Sequence, residues 1–217
     1  MKARRLLVIN PNSNTSVTDG IERALQSFHR PGEFEITCCT LDDAPFGIES
    51  DADIAAVVPL LVNVISSHAD NYDGFVIACY SDPALAECRR IGAKPVFGIH
   101  ESAVSLPASR GQRFGVLALG RESIQRHLAY VRQLGFDTFH AGERPLDINV
   151  DEAANDPGTL AKIIDTGREL VQEDGAETII LGCAGMALHR KAAENALGVP
   201  VIDPVQAAVM MAEQTLR

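Results

Sequence analysis

Two segments of the chain, GFVIACYSDPAL at 74–85 and ETIILGCAGMAL at 177–188, share one pattern. Each is a short apolar run that ends at a cysteine, continues through small or turn-forming residues and then takes on a helical pattern. Short apolar runs bounded by turn signals are typical of buried strands. The two segments therefore predict two strand-to-helix units, with Cys79 and Cys183 at the carboxyl ends of their strands.

The similarity between the two segments extends in both directions along the chain. Downstream, AKPVFGIHESAV at 93–104 parallels GVPVIDPVQAAV at 198–209, and the interval from the cysteine to the proline of this second strand is 16 residues in one half and 17 in the other. Upstream, RRLLVINPNSNTS at 4–16 parallels QRFGVLALGRESI at 112–124. A period this long predicts a duplicated domain rather than a solenoid.

Short strands that alternate with longer amphipathic stretches predict an α/β fold built on parallel sheets flanked by helices. We expect two similar lobes related by a pseudo-twofold axis, an N-terminal lobe over 1–107 and a C-terminal lobe over 108–217. The pattern leaves open that the C-terminal helix packs back on the first lobe. Ligands of open α/β sheets bind beyond the carboxyl ends of the strands, so the site is expected in the cleft where Cys79 and Cys183 face each other.

The individual elements follow from the same pattern. Strands are predicted near 4–10, 34–40, 73–79, 95–99, 113–119, 136–140, 177–182 and 199–202. Helices are predicted near 15–28, 52–68, 83–92, 101–108, 122–134, 158–173, 184–196 and 204–216.

Composition and charge narrow the classes of protein. The 217 residues are 46% hydrophobic, enough for a real core, and the formal net charge of -10 repels nucleic acid and anionic membrane surfaces. No apolar run approaches the roughly 20 residues of a membrane helix, and the start MKARRLLVINPNSN reaches Pro and Asn after four apolar residues. We expect a cytoplasmic protein with a small-molecule ligand and neither a nucleic-acid nor a membrane partner.

The cysteines are interpreted as reduced thiols, because five is an odd number and nothing indicates secretion. A cysteine at the junction of a strand and a helix lies among unpaired backbone N–H groups, whose partial positive charge favours the thiolate. We expect this effect at Cys79 and Cys183, and we expect Asp82 and Pro83 to be the N-cap and first residue of the helix at 83–92. A single cysteine of this kind is more often a packing residue, but a matched pair favours function.

Eight further residues around the two strand ends are predicted to contact a ligand. Asn10 and Asn12 both donate and accept hydrogen bonds, although NPNSN also suits a turn and a helix cap. Small residues after Cys183 leave room for backbone N–H groups to reach a ligand. The full set is Asn10, Asn12, Pro45, Tyr80, Ser81, Ser123, Ala184 and Gly185.

Other motifs point away from cofactor chemistry. Cys38 and Cys39 have no CxxC partner, Cys88 falls on a predicted helix, and the six histidines show neither HxH nor HExxH spacing. There is no GxGxxG and no GxxxxGK motif for a nucleotide. The sequence therefore predicts no metal and no organic cofactor.

Three segments carry a resemblance to a known family. NPNSN at 10–14, ACYSDPAL at 78–85 and LGCAGM at 181–186 resemble the motifs of the aspartate/glutamate/hydantoin racemase superfamily, in its hydantoin and allantoin racemase branch. The resemblance covers essentially the whole chain. It implies a cofactor-independent racemase that transfers a proton at a carbon next to a carbonyl, with Cys79 and Cys183 on opposite faces. It also implies a 5-substituted hydantoin or allantoin as substrate and a homo-oligomer as the assembly.

Two departures from the family pattern bear on the substrate. In glutamate racemases Thr and His follow the second cysteine closely, whereas Ala184, Gly185 and Met186 follow it here, which weakens the case for an amino-acid carboxylate. Many hydantoin racemases also carry a bulkier or acidic pair where this chain has Tyr80 and Ser81. The alternatives are an Asp/Glu-type amino-acid racemase or a maleate isomerase-like enzyme of the same fold. A two-lobed small-molecule binding protein is the non-enzyme alternative.

Overall fold

Two four-stranded parallel sheets organise the structure, a computed structural model that describes residues 3–92 and 94–217. The strands are β1 Arg4–Asn10, β2 Phe34–Thr40, β3 Gly74–Ile77, β4 Val96–Gly98, β5 Phe114–Ala118, β6 His140–Pro145, β7 Thr178–Leu181 and β8 Val201–Ile202. The helices are α1 Thr15–Leu25, α2 Asp51–His68, α3 Leu85–Ile91, α4 Ile99–Ala108, α5 Arg121–Gln133, α6 Val150–Asn155, α7 Thr159–Gln172, α8 Arg190–Leu197 and α9 Pro204–Thr215. Three 3₁₀ segments cover Gln26–Phe28, Asp137–Phe139 and Ala184–His189.

The two sheets repeat one topology. Their strand orders are β2-β1-β3-β4 and β6-β5-β7-β8, with all pairs parallel. β3 and β7 occupy equivalent inner positions, and each ends two residues before its cysteine. The predicted α/β fold with two similar lobes is confirmed.

The central strands are buried on both faces, as helices on both sides of a parallel sheet require. All residues of β3 and β7 are buried. In the first lobe Val57, Leu61 and Ile65 of α2 belong to the same core cluster as Phe75 and Ile77 of β3. Each such side chain contributes about 1.5–3 kcal/mol of burial free energy.

The last helix of each half packs on the other half. Val205, Ala208 and Val209 of α9 belong to the core cluster that contains Leu6 and Val76 of the first sheet. Ala103 and Val104 of α4 pack with Phe114, Val116 and Ile180 of the second sheet. The division of the chain at residue 107 thus describes the sequence repeat. In the packing, the last helix of each half lies on the sheet of the other half.

Several elements differ from the sequence prediction. The helix predicted at 184–196 begins as the 3₁₀ segment Ala184–His189 and continues as α8 from Arg190. The strand predicted at 136–140 is β6, which begins at His140 because Asp137–Phe139 forms a 3₁₀ turn. The helix predicted at 83–92 begins at Leu85, since Asp82 and Ala84 have φ values of 44° and 58°, outside the helical region. The short helix α6 was not predicted.

By length and composition, α2 is the one helix among the described residues that could cross a membrane. A single such helix is weak evidence, because the core helix of a folded domain passes the same test. Val57, Leu61 and Ile65 pack into the first-lobe core, so α2 is interpreted as a wall of that lobe.

Gly182 lies between β7 and Cys183, at a point where the ends of two strands pack closely. A Cβ atom there would lie 2.5 Å from the backbone oxygen of Leu117, which also accepts the Gly182 N–H at 2.9 Å. Gly182→Ala is expected to lower the free energy of unfolding by about 1–3 kcal/mol, measured by urea denaturation.

The matched control is Gly20→Ala in α1, where a Cβ would meet only Leu188 Cδ1, at 4.0 Å. Alanine in a helix interior should leave stability unchanged or raise it by about 0.5–1 kcal/mol. Equal effects of the two substitutions would contradict the close packing at Gly182.

Candidate functional site

A cavity of about 130 Å³ lies where the carboxyl ends of β3 and β7 meet, and both Cys79 and Cys183 line it. Both lobes contribute to its wall, which is lined by Asn12, Val17, Ile48, Glu49, Ala78, Cys79, Tyr80, Ser81, Leu119, Gly120, Glu122, Ser123, Arg126, His127, Ile148, Val150, Gly182, Cys183 and Ala184. The structure thus brings the two predicted thiols to one pocket.

Cys79 is held by a loop that is bonded to the next helix. The Asp82 carboxylate accepts the backbone N–H groups of His100 and Glu101, both at 2.9 Å, at the start of α4. The predicted role of Asp82 as the N-cap of 83–92 is therefore wrong, because it caps α4 instead. Gly98 permits this approach, since a Cβ there would lie 2.3 Å from Asp82 Oδ2.

Cys183 is held differently. It precedes the 3₁₀ segment Ala184–His189, and its Sγ accepts the backbone N–H of Gly185 at 3.4 Å. In this half Asp203 caps its own helix, α9, by accepting the Val205 N–H at 2.9 Å. The Cys183 loop therefore carries no carboxylate equivalent to that of Asp82.

Burial sets the protonation of both thiols. It raises the pKa of Cys79 to about 12 and that of Cys183 to about 11. The N–H of Ser81 lowers the pKa of Cys79, as does the charge of Arg126, and the N–H of Gly185 lowers that of Cys183. The expected effect of the backbone amides is present, but it is smaller than desolvation, so the prediction that the thiolate is favoured is corrected.

Five of the eight residues that were predicted to contact a ligand line the cavity, and Asn10 is not one of them. The side chains that line it are Asn12, Tyr80, Ser81, Ser123 and Ala184. Asn10 is 1% exposed, and its Nδ2 donates to Asn12 Oδ1 and to Thr18 Oγ1, both at 3.0 Å. Asn10 orients Asn12 and has no donor left for a ligand.

Pro45 and Gly185 also lie outside the cavity lining. The carbonyl of Pro45 accepts the Ser13 N–H at 3.0 Å, which ties the loop after β2 to the NPNSN segment. Gly185 acts through its hydrogen bond to Cys183. The prediction of direct ligand contact is corrected at these two positions, because the Pro45 carbonyl and the Gly185 N–H are hydrogen-bonded within the protein.

Four charged or titratable residues of the lining were not predicted from sequence: Glu49, Glu122, Arg126 and His127. Glu122, Arg126 and His127 share one face of α5 with the predicted Ser123, so helical spacing from Ser123 would have found them. Glu49 has no such signal. Its Oε1 accepts the Val150 N–H at 2.9 Å and joins the two lobes at the mouth of the cavity.

The raised thiol pKa values predict slow alkylation. Below its pKa a thiol gains tenfold in thiolate per pH unit, so iodoacetamide labelling of Cys79 and Cys183 should still accelerate between pH 9 and pH 10. Peptide mass mapping measures each site separately.

A cysteine in a short unstructured peptide, with a pKa of about 8.5, provides the control, because its labelling rate levels off above that pH. A plateau for Cys79 or Cys183 by pH 9 would contradict desolvation as the dominant influence.

Comparison with known proteins agrees with this architecture. The sequence model of the family described as Asp/Glu/Hydantoin racemase matches residues 6–212. The hydantoin racemase of Rhizobium meliloti is 36% identical over 212 residues, 96% of this chain and 87% of that protein.

Solved structures are similar over the whole chain. The allantoin racemase of Klebsiella pneumoniae superposes with a TM-score of 0.88 at 30% identity, covering 99% of this chain and 88% of that one. The allantoin racemase of Pseudomonas fluorescens gives a TM-score of 0.91 at 26% identity, with 98% and 91% covered.

Proposed function

The chain belongs to the Asp/Glu/hydantoin racemase family and is an isomerase of the racemase type, and from this premise we propose that Cys79 and Cys183 are its two acid/base catalysts. The proposed substrate is a 5-substituted hydantoin or allantoin. The observation that carries the proposal is the placement of two thiols, at equivalent strand ends of two lobes, in one cavity.

The reaction needs one thiolate and one thiol. The thiolate removes the proton from the carbon next to the carbonyl, and the C–H electron pair moves onto the carbonyl oxygen to give an enolate. The opposite thiol then donates its proton to the other face of the carbon, so its sulfur ends as the thiolate. One proton leaves, one arrives, and the enantiomer is inverted.

The electrostatics of the pair support this division of labour. A charge on Cys183 raises the pKa of Cys79, which opposes two thiolates at once. The positive charge of Arg126 and the N–H of Ser81 favour the thiolate at Cys79, and the N–H of Gly185 favours it at Cys183. Either thiol is therefore able to hold the single negative charge while the other stays protonated.

The cavity wall supports a neutral substrate over a dicarboxylate. Arg126 is accompanied there by Glu49 and Glu122, so the charged side chains of the lining sum to a negative value. A maleate or an acidic amino acid would meet this charge, whereas a cyclic ureide carries none. Asn12 Oδ1 already accepts from Asn10 Nδ2 and from the Asn14 N–H, so the Asn12 side chain offers its N–H groups to a ureide carbonyl beside the apolar Val17 and Ile148.

We also propose a homo-oligomer. Ala52, Ala55, Ala56 and Pro59 of α2 are exposed in the single chain, and a second copy would bury this apolar face. Sedimentation velocity at micromolar concentration is expected to give a particle larger than 23.3 kDa. A species of the monomer mass alone would contradict the proposal.

Replacing either thiol separates the two half-reactions. Cys79→Ser and Cys183→Ser substitute hydroxyls that are far weaker acids, so racemisation of L-5-benzylhydantoin or of one allantoin enantiomer should fall by orders of magnitude. The remaining thiol still removes and returns a proton on its own face. Each variant should therefore deuterate one enantiomer without inverting it, and the two variants should prefer opposite enantiomers.

The measurement is α-deuteration by NMR alongside loss of optical rotation, in buffer with a chelator and corrected for spontaneous exchange. Cys38→Ser is the matched control, because Cys38 is a partly buried free thiol outside the cavity lining. If Cys183→Ser racemised at the parent rate, or if both variants exchanged the same enantiomer, the opposed-thiol mechanism would be wrong.

A further inference from the structure

A cluster of titratable side chains packs against the cavity, and the two-thiol reaction does not use it. Three of the six histidines, His100, His127 and His140, lie there with Tyr80 and Glu143. The Tyr80 ring stacks on His100 at 4.1 Å and meets the edge of His127 at 5.0 Å. Since Tyr80 follows Cys79 directly, the cluster adjoins the first thiol.

We propose that His127 is a further substrate-contacting residue, which donates a hydrogen bond from Nε2 to the carbonyl oxygen that becomes the enolate oxygen, and that Glu143 is the positioning residue that keeps His127 a donor. The inference rests on the proposed racemase reaction and identifies what stabilises its intermediate.

The geometry leaves one ring nitrogen for a ligand. His127 is 4% exposed and lines the cavity on the same face of α5 as Ser123 and Arg126. Its Nδ1 lies 2.6 Å from Glu143 Oε1, within hydrogen-bond distance. Because Glu143 occupies Nδ1, Nε2 is the nitrogen that a substrate is able to reach.

Burial decides where the shared proton lies. It raises the pKa of Glu143 to about 8, and it lowers the pKa of His127 to about 3, so at neutral pH both groups are uncharged. A neutral carboxyl O–H donates to Nδ1, and the single ring proton is then on Nε2. Above about pH 8 the Glu143 carboxylate instead accepts from Nδ1–H, and Nε2 becomes an acceptor.

The surrounding groups act on the same equilibrium. Charges on His140, in β6, and on Arg126, in α5, lower the pKa of Glu143 without overcoming burial. Within residues 3–92 and 94–217, Glu143 Oε2 has no hydrogen-bond partner, and His140 Nε2 lies 4.0 Å from it. The remaining titratable groups that face the pair are Tyr80 and His100, and Tyr130 packs on the edge of His100.

A neutral donor suits the enolate. The thiolate takes the α-proton, the electron pair moves to the oxygen, and His127 keeps its own proton while its N–H dipole faces the developing charge. Such preorganised donors strengthen in a buried site, and removing one costs about 10²–10³ in rate. The described residues hold no group of three His, Cys, Asp or Glu side chains placed for a metal, so the cluster is interpreted as a hydrogen-bonding device.

Two His→Phe substitutions test the proposed contact between His127 and the substrate. His127→Phe should lower kcat for a 5-substituted hydantoin about 100-fold, with a smaller change in KM, and His127→Gln, which keeps a donor, should recover part of the loss. His140→Phe makes the same replacement of an imidazole by a phenyl ring in the same cluster but outside the cavity lining. Burial lowers the pKa of His140 below its ordinary value of 6.5, so the substitution removes no charge at pH 7 and kcat there should stay near the parent value.

Equal losses in the Phe variants of His127 and His140 would show a structural effect and overturn the proposal, as would a His127→Phe enzyme with the parent kcat. If the parent protein racemised neither hydantoins nor allantoin, the proposed function itself would fail. That outcome is distinct from a failure at His127.

The imidazole ¹⁵N resonances of uniformly labelled protein provide a readout that needs no turnover. His127, assigned by its absence in His127→Phe, should carry its proton on Nε2 at pH 7 and on Nδ1 above about pH 8. In Glu143→Gln the amide N–H donates to Nδ1 and does not titrate, so Nε2 should keep its proton at both pH values. A proton on Nδ1 at pH 7 in the parent protein would overturn the inference.

Discussion

The exchange of the last helices between the two halves holds the cavity together. α9 contacts β3 and β4 of the first sheet, and α4 contacts β5 and β7 of the second. Val205 and Val209 are fully buried against the first lobe, so neither sheet completes its core without the other half of the chain. The strand ends that carry Cys79 and Cys183 therefore face each other through shared packing.

Within this symmetry the two cysteine loops are tied down by different means. The N-termini of α4 and α9 both need an acceptor, and a carboxylate supplies it each time. For α4 it comes from Asp82 in the Cys79 loop, and for α9 from Asp203, at the position equivalent to Gly98. In the repeat Met186 occupies the place of Asp82, where it is fully buried and packs in the second core. Both halves thus have a carboxylate cap on their last helix, but the residue that provides it occupies a different position of the repeat.

The sequence was sufficient for the strand-to-helix units and the cysteine pair, because a repeated apolar run has few interpretations. The sequence was insufficient where a side chain could bind several different partners. Asn10 suits a ligand or a turn equally well, and only the fold shows its Nδ2 donating to Asn12 and Thr18. The pair of His127 and Glu143 joins a helix to a strand, and the strand predicted at 136–140 ended before Glu143. The thiol pKa values depend on tertiary burial, which the local amides could not reveal.

In the proposed reaction one negative charge moves from a thiolate to the enolate and on to the opposite thiolate. The total charge stays at one throughout the reaction. The site must therefore stabilise that charge on either sulfur and on the enolate oxygen, in a buried medium where a second charge nearby is costly. Burial raises the pKa of Glu143 to about 8, and it lowers that of His127 to about 3. These groups are therefore largely neutral at physiological pH. The same burial that makes each thiol a weak acid makes its thiolate a strong base, and it removes competing charges from the path of the proton.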